Sequence, residues 1–429
     1  MSPRCCPAIL VSAPASGQGK TLVTAALARA WRNMGLKVQA LKCGPDFIDS
    51  KILQAATGRP VYNLDLGMCG LEDGKAQLYR AAQHADVIIA EGVMGLYDGT
   101  PSTADIAKAF NLPVALVIDA SGMAQTFAAV AHGLYNFDGA FIKAGVIANK
   151  VGSAGHAKML QDALIVDIPW LGALLQDERL RLPKRHLGLH MADEITDLEA
   201  RIEAAAYLLT ENGNLALPPT VTFDAATTHS TPQLLQGKTI AVARDAAFCF
   251  IYPANIDCLQ DLGANIVYFS PLNDAALPEA DAYWLPGGYP ELHLHKITQN
   301  TGMRASLHSV AKASVAKAGK PILAECGGMM AISERLNGVP MFGLLAGSSE
   351  IQPKFQGLGT QHLQTVDGNI GAHTFHYGKF DTAIKPAFTA NSRYGQGEAV
   401  YRHDNISASF LHFYFASNPI FAAQFFCAK

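Results

Sequence analysis

Two short stretches of the 429-residue chain hold residue types that can do chemistry together. The first runs Ala13-Pro14-Ala15-Ser16-Gly17-Gln18-Gly19-Lys20-Thr21. Gly17 and Gly19 let backbone N–H groups close around anionic oxygens, Lys20 adds a mobile positive charge, and the Thr21 hydroxyl can ligate Mg2+. Ser16 to Thr21 is thus expected to cradle the phosphates of a nucleotide. Pro14 stands where the strict pattern has its first glycine, and an ordinary strand-to-helix turn is the alternative reading. The second stretch is Ala324-Glu325-Cys326-Gly327-Gly328. A cysteine between an apolar run and a helical segment occupies a nucleophile elbow, and a nearby helix N-terminus is expected to lower its pKa. Backbone N–H groups of Gly327 and of Gly288, in the Leu285–Glu291 segment LPGGYPE, are candidates for an oxyanion hole. His412, in FLHFYF, is the candidate base; catalytic partners need not be neighbours in sequence. Alone, Cys326 would read as a buried structural cysteine and His412 as a satisfied core histidine. The ECGG context favours the chemical reading.

Carboxylates supply the rest. Glu91 ends the apolar run DVIIA, where a parallel strand faces a ligand crevice, and is a candidate Mg2+ ligand. Asp46 and Asp49 in KCGPDFID and Asp98 in LYDG lie in loop-like segments, where plain turn chemistry is the alternative for each. His186 and His190 are four apart with no apparent third ligand. His293, His295, His373 and His376 read as solvent-facing or hydrogen-bonded rather than metal-bound.

These residues need elements to position them. Apolar runs at residues 8–13, 38–41, 86–90, 114–118 and 144–148 alternate with helical spacing such as that over 20–34. Such alternation predicts a doubly wound, mainly parallel sheet. It lapses over 212–237, a Pro-, Thr- and Asn-rich segment read as a linker. A second series begins at Thr239 with IAVA, NIVYF, AYWLP and PILAE, and a helical stretch over 303–318. The expected division is residues 1–211, a linker at 212–237, and residues 238–429.

Composition narrows the classes. A hydrophobic fraction of 49% with 16% charge supports packed cores rather than disorder. A net charge of -3 predicts no binding to nucleic acid or to a membrane surface. No apolar run is long enough to span a bilayer, and the first apolar stretch reads better as a strand than as a signal segment. The eight cysteines form no CxxC pair, which argues against a zinc or disulfide scaffold and for a reducing compartment, hence the cytoplasm. The sequence is compatible with a homo-oligomer.

The set SGQGKT, KCGPDFIDS, NLDLGM, AEGVMGLYDG, STADIAK, RHLGL, ARDAAFCFIYPANID, LPGGYPELH, AECGGMM and HTFHYGKF resembles the cobyrinic acid a,c-diamide synthases, a family that includes enzymes of hydrogenobyrinic acid. The resemblance runs in order along nearly the whole chain. It implies an α/β protein: a P-loop, dethiobiotin-synthetase-like domain with a doubly wound, mainly parallel sheet, then a class I glutamine amidotransferase-like α/β domain. It implies ATP and L-glutamine as substrates, Mg2+ as cofactor and a corrinoid as acceptor. Glutamine would be hydrolysed at Cys326 with His412 as base. ATP would phosphorylate the c and then the a acetate carboxylate, and ammonia would displace phosphate. Lys20, Thr21, Asp46 and Glu91 would serve ATP and Mg2+; Lys42, Asp49 and Asp98 would lie near the phosphorylated intermediate. Tyr414 stands where many class I amidotransferases place the triad's glutamate, so the third triad member stays open. Phe248, Tyr252 and Asn255 are candidates for macrocycle contact, with core packing as the alternative for the aromatics.

Three rival readings stand beside this one. Cobyric acid synthase and nickel-sirohydrochlorin a,c-diamide synthase share both domains and differ in acceptor. A partitioning ATPase would leave ECGG and His412 without a role. A regulatory glutamine-binding module with a dead P-loop is opposed by Lys20 and Thr21.

Overall fold

The computed structural model describes residues 2–139, 141–165, 167–180, 195–225, 232–312 and 319–427. His186 and His190 lie outside the described residues. Two compact units emerge: Met1–Leu66 with Gly70–Thr228, and Gly67–Cys69 with His229–Lys429.

The strands of the first unit are β1 (Arg4–Ser12), β2 (Val38–Cys43), β3 (Tyr62–Leu64), β4 (Val87–Glu91), β5 (Val114–Asp119), β6 (Lys143–Val151), β7 (Trp170–Leu175) and β8 (Thr220–Phe223). They form one sheet in the order β3-β2-β4-β1-β5-β6-β7, parallel throughout, with β8 antiparallel to β1. Alternate residues of β1 enter different cores: Ala8 and Leu10 pack on one face, Ile9 and Val11 on the other. Burial on both faces is why these strands read as continuous apolar runs. The helix Lys20–Asn33 packs Val23, Leu27 and Trp31 into the second of these cores. Chain order reverses at β1, which lies between β4 and β5, so loops at the carboxyl ends of these strands open a crevice. β8 lies inside the segment read as linker. Its TVTF residues alternate exposed and buried, with Val221 and Phe223 in the core, a period-2 signal too short to stand out among prolines and threonines.

In the second unit the strands are β9 (Thr239–Ala243), β10 (Asn265–Phe269), β11 (Ala282–Leu285), β12 (Ile322–Glu325), β13 (Ser333–Leu336), β14 (Val339–Pro340) and β15 (Leu345–Ile351). They continue as β16 (Gly357–Thr365), β17 (Gly368–His376), β18 (Gly378–Asp381), β19 (Phe388–Ser392), β20 (Gly395–His403), β21 (Ile406–Ser409) and β22 (His412–Phe413). Ten of them join as β10-β9-β11-β12-β21-β20-β19-β16-β17-β22, and β14-β13-β15-β18 make a smaller sheet. Pairing is parallel from β10 to β21 and antiparallel beyond. The helix expected over 303–318 is described as Thr301–Ala311; residues 313–318 lie outside the described set. No described helix is long and apolar enough to cross a membrane.

Candidate active sites

The first site grows from the end of β1. Gly17 and Gly19 adopt φ of 81° and 88°, left-handed values that a side chain would strain. Gly19 also leaves no room: a Cβ there would lie 2.1 Å from Asn149 Nδ2. Asn149 Nδ2 donates to the Gln18 carbonyl at 2.8 Å, and Gln18 Oε1 accepts from the Asp119 N–H at 2.8 Å. The loop is thereby braced from β5 and β6, and Gly19 opens the helix Lys20–Asn33. Lys20 Nζ donates to the carbonyls of Ala15 and Met94. Burial lowers its pKa, and the nearby Lys42 adds to that.

Beside the loop, Thr21 Oγ1 donates to Glu91 Oε1 at 2.8 Å. Glu91 is 1% exposed, and its Oε2 is buried with no hydrogen-bond partner among the described residues. Lys42 lies 3.6 Å from Glu91 Oε1 and 3.9 Å from Asp49 Oδ2, and donates to the Gly92 carbonyl at 3.1 Å. Burial opposes both charges of this pair. The carboxylates outweigh it at Lys42, whose pKa is raised, while burial prevails at Glu91 and raises that pKa against the pull of Lys42 and Thr21. A cavity of about 840 Å3 is lined by Ser16, Gly17, Gly19, Lys20, Thr21, Lys42, Asp46, Asp49 and Glu91, among others. Asp46 also serves its own turn, its Oδ1 accepting from the N–H groups of Ile48 and Asp49 at 2.7 and 3.0 Å. Asp98 does not line the cavity. Its Oδ2 accepts from the Gly95 N–H at 3.0 Å, though its charge is felt at Lys20.

The second site is assembled by close backbone approaches. Cys326 sits at φ 45°, ψ -106°, a strained position for a residue with a Cβ, between β12 and the helix Gly327–Ile332. A Cβ at Gly328 would lie 2.0 Å from the Leu285 carbonyl oxygen, and one at Gly327 would lie 2.9 Å from Gly288 N. The two glycine pairs therefore interlock. The same loop touches the histidine: a Cβ at Gly287 would lie 2.2 Å from His412 Cε1. The His412 ring also meets Phe250 edge-on at 5.9 Å. His412 pairs in register with His373.

The Cys326 and His412 segments are also tied through Glu325. Its Oε1 accepts from the Phe413 N–H and its Oε2 from Trp284 Nε1, both at 2.8 Å. Burial pushes this carboxyl up to about 8, and the two donors pull the other way. Asn255 clamps the histidine strand further on, donating to the Phe413 carbonyl at 2.7 Å and accepting from the Phe415 N–H at 2.8 Å.

The lowered thiol pKa expected at a helix start is not what the structure gives. Burial raises the Cys326 pKa, and Glu291, Glu398 and Glu325 raise it further, against a single contribution from the Gly327 N–H. The helix is six residues long, so its terminal field is weak beside complete desolvation. Burial also lowers His412 to about 3, aided by His373 and His376. The resting pair is a neutral thiol and a neutral imidazole.

Phe248, Tyr252 and Asn255 are 0%, 2% and 1% exposed, so they belong to the core rather than to a macrocycle surface. His376 Nε2 donates to Glu398 Oε1 at 2.9 Å and the ring stacks on Phe410 at 3.9 Å, consistent with the hydrogen-bonded reading of that histidine. No group of three or more His, Cys, Asp or Glu among the described residues forms a ready-made metal site. Sequence reasoning missed Glu325, Trp284 and Glu291. The signal for Glu325 was present: it ends the buried run ILA as Glu91 ends VIIA.

Two family models match separate segments of the chain. Residues 9–189 match the model for the CobQ/CobB/MinD/ParA nucleotide binding domain, and residues 239–420 that for the CobB/CobQ-like glutamine amidotransferase domain. The hydrogenobyrinate a,c-diamide synthase of Stutzerimonas stutzeri is 48% identical, covering 99% of each chain. The cobyrinate a,c-diamide synthase of Herminiimonas arsenicoxydans is 46% identical over 97% of this chain and 96% of its own. A hydrogenobyrinate a,c-diamide synthase of Pseudomonas aeruginosa is 45% identical over 97% of both. With a nucleotide-binding loop, a cysteine elbow and full-length similarity of this degree, the chain belongs to the a,c-diamide synthases, glutamine-hydrolysing ligases of cobalamin biosynthesis.

Proposed function

We propose that this protein amidates the a and c acetate carboxylates of hydrogenobyrinic or cobyrinic acid, using ATP and glutamine. Relatives of both names stand at 45–48% identity, so both acceptors belong to the proposal. The observation that carries it is the presence in one chain of a glycine loop leading into Lys20 and Thr21, with Glu91 beside it, and a cysteine elbow at Cys326.

In the second unit, Cys326 Sγ attacks the side-chain amide carbon of glutamine. His412, neutral at rest, takes the thiol proton and passes it to the departing ammonia. The N–H groups of Gly288 and Gly327 face the developing oxyanion, and water then hydrolyses the thioester to glutamate. In the first unit, the loop Ser16–Thr21 binds the ATP phosphates. Thr21 Oγ1 and the open Glu91 Oε2, with Asp46 nearby, fit a magnesium ion, which takes few protein oxygens besides substrate phosphates. When bound, it would supply charge neutralisation on those phosphates. Lys42 and Asp49, which line the same cavity, are the residues we assign to the acceptor carboxylate and its acyl phosphate, and Asp98 contributes through its charge on Lys20. A carboxylate resists direct amidation because oxide is a poor leaving group; phosphate is a good one. Supply of ATP and glutamine suits a cytoplasmic location.

The test supplies Mg2+, ATP, amide-15N glutamine and either corrinoid acid, with the product read by mass spectrometry. Two labelled amides are expected. The Cys326→Ala variant should lose at least about 10^4-fold of the glutamine-supported rate and keep the ammonia-supported rate. A folded, ATP-hydrolysing protein that labels neither corrinoid would reject the acceptor.

A further inference from the structure

A glutamine-hydrolysing site must recognise a zwitterion, and the α-ammonium group of glutamine needs an anionic partner near the thiol. Three carboxylates act on the Cys326 sulfur, in the order Glu291, Glu398, Glu325. They are not equally available. Glu325 has both oxygens engaged, by Trp284 and by the Phe413 N–H. Glu398 Oε1 is held by His376 Nε2 at 2.9 Å and accepts from Thr374 Oγ1 at 3.4 Å. Glu291 differs, because its Oε2 is buried and meets no hydrogen-bond partner among the described residues. A buried carboxylate oxygen left open is costly unless a ligand fills it.

Its position is set by the same interlocking loops that form the elbow. Glu291 lies in the short turn Pro290–Leu292 that follows Gly288. Pro290 Cδ lies 2.9 Å from where a Cβ of Gly327 would be, so this turn abuts the residue next to the nucleophile. We infer that Glu291 is the residue that reads the α-ammonium group of glutamine, and that filling its open oxygen with a cation also releases Cys326 to ionise. This rests on Cys326 being the nucleophile.

The second half follows from electrostatics. An unpaired anion beside a thiol opposes formation of the thiolate. Pairing that anion with the substrate's ammonium cancels the opposition when an amide is in place and not before. Burial holds the Glu291 carboxyl itself up to about 7, and an ammonium partner favours its ionised form. An empty site thereby keeps its thiol protonated and less open to oxidation.

The inference predicts two effects of opposite sign in Glu291→Gln. Glutamine hydrolysis is compared with hydrolysis of 4-carbamoylbutanoic acid, which is glutamine without its amino group. The wild-type preference for glutamine should fall by about 10- to 100-fold in the variant, mainly through KM, as loss of a charge-assisted hydrogen bond implies. Alkylation of Cys326 by iodoacetamide without substrate should become faster. Ammonia-supported amidation shows whether the variant is folded, and Glu291→Asp should restore part of the preference. If Glu291→Gln keeps the preference while Cys326→Ala is inactive with glutamine, Glu291 is not the reader and only this inference fails. Slower alkylation in the variant would overturn the gating half. If Cys326→Ala still hydrolyses glutamine, the nucleophile assignment falls and takes the inference with it.

Discussion

Each unit ends a buried parallel strand with a glutamate, and the two are used in opposite ways. Glu91 closes β4 and Glu325 closes β12; both are 1% exposed. Glu91 gives one oxygen to Thr21, keeps the other open and has a lysine 3.6 Å away. Glu325 gives both oxygens to N–H donors of its own unit. The first keeps an acceptor unfilled, as the proposed ligand-facing role requires, and the second holds a strand and a loop in register. Position at a strand end does not decide between ligand and strut; the count of filled acceptors does. The electrostatics of the two sites differ in the same sense. Around Glu91 ionisable groups of both signs crowd together, and the carboxylates at 3.6 and 3.9 Å hold Lys42 in its charged form against burial. Around Cys326 burial keeps thiol and imidazole neutral until substrate arrives.

The sharpest way to break this comparison is Glu91→Gln. It removes the charge beside Thr21 and leaves buried Lys42 short of its nearest countercharge. Amidation should drop by about 100- to 1,000-fold with glutamine and with ammonia alike. Cys326→Ala should fail with glutamine alone, so the pair of variants separates the units. Loss of a partner for a buried cation costs about 3–5 kcal/mol, so the melting temperature should be measured beside the rate. An Glu91→Gln enzyme that still amidates well with ammonia would remove Glu91 from the ligand-facing class.

Glu325→Gln tests the strut. The amide keeps one acceptor but turns its NH2 toward Trp284 Nε1 or the Phe413 N–H, donor against donor. A cost of about 1–3 kcal/mol in stability is expected. Glutamine hydrolysis should fall by about 10- to 100-fold in kcat with little change in KM, because the elbow and His412 lose register rather than affinity. Trp284→Phe removes one donor without adding a clash and should show a smaller loss. A change confined to KM would make Glu325 a substrate contact instead.

Much of this was legible in the sequence. Strands buried on both faces announce themselves as VIIA or ILA, and the glycines of SGQGKT and ECGG mark turns whose backbone geometry excludes side chains. β8 was hidden because four residues of alternation in a Pro- and Thr-rich stretch look like a linker. The ionisation of Cys326 is not legible because sequence shows a helix start but not the depth of burial around it. The roles of Glu325 and Glu291 depend on which oxygen atoms are already occupied, and no spacing rule encodes that.

The smallest expected effect concerns pH and separates an open carboxylate from a closed one within the second unit. Burial holds Glu291 up to about 7. Above that pH it is anionic and can pair with the α-ammonium group; below it the group is neutral and the pairing is lost. The KM for glutamine should therefore rise as pH falls through about 7, by up to about tenfold per pH unit well below it. The Glu291→Gln profile should be flat over the same range, with a KM near the wild-type value at low pH. Glu325, whose oxygens are already filled, should affect kcat and leave this KM profile in place. A wild-type KM that stays constant from pH 6 to 8 would show that the open oxygen of Glu291 is not where glutamine is read.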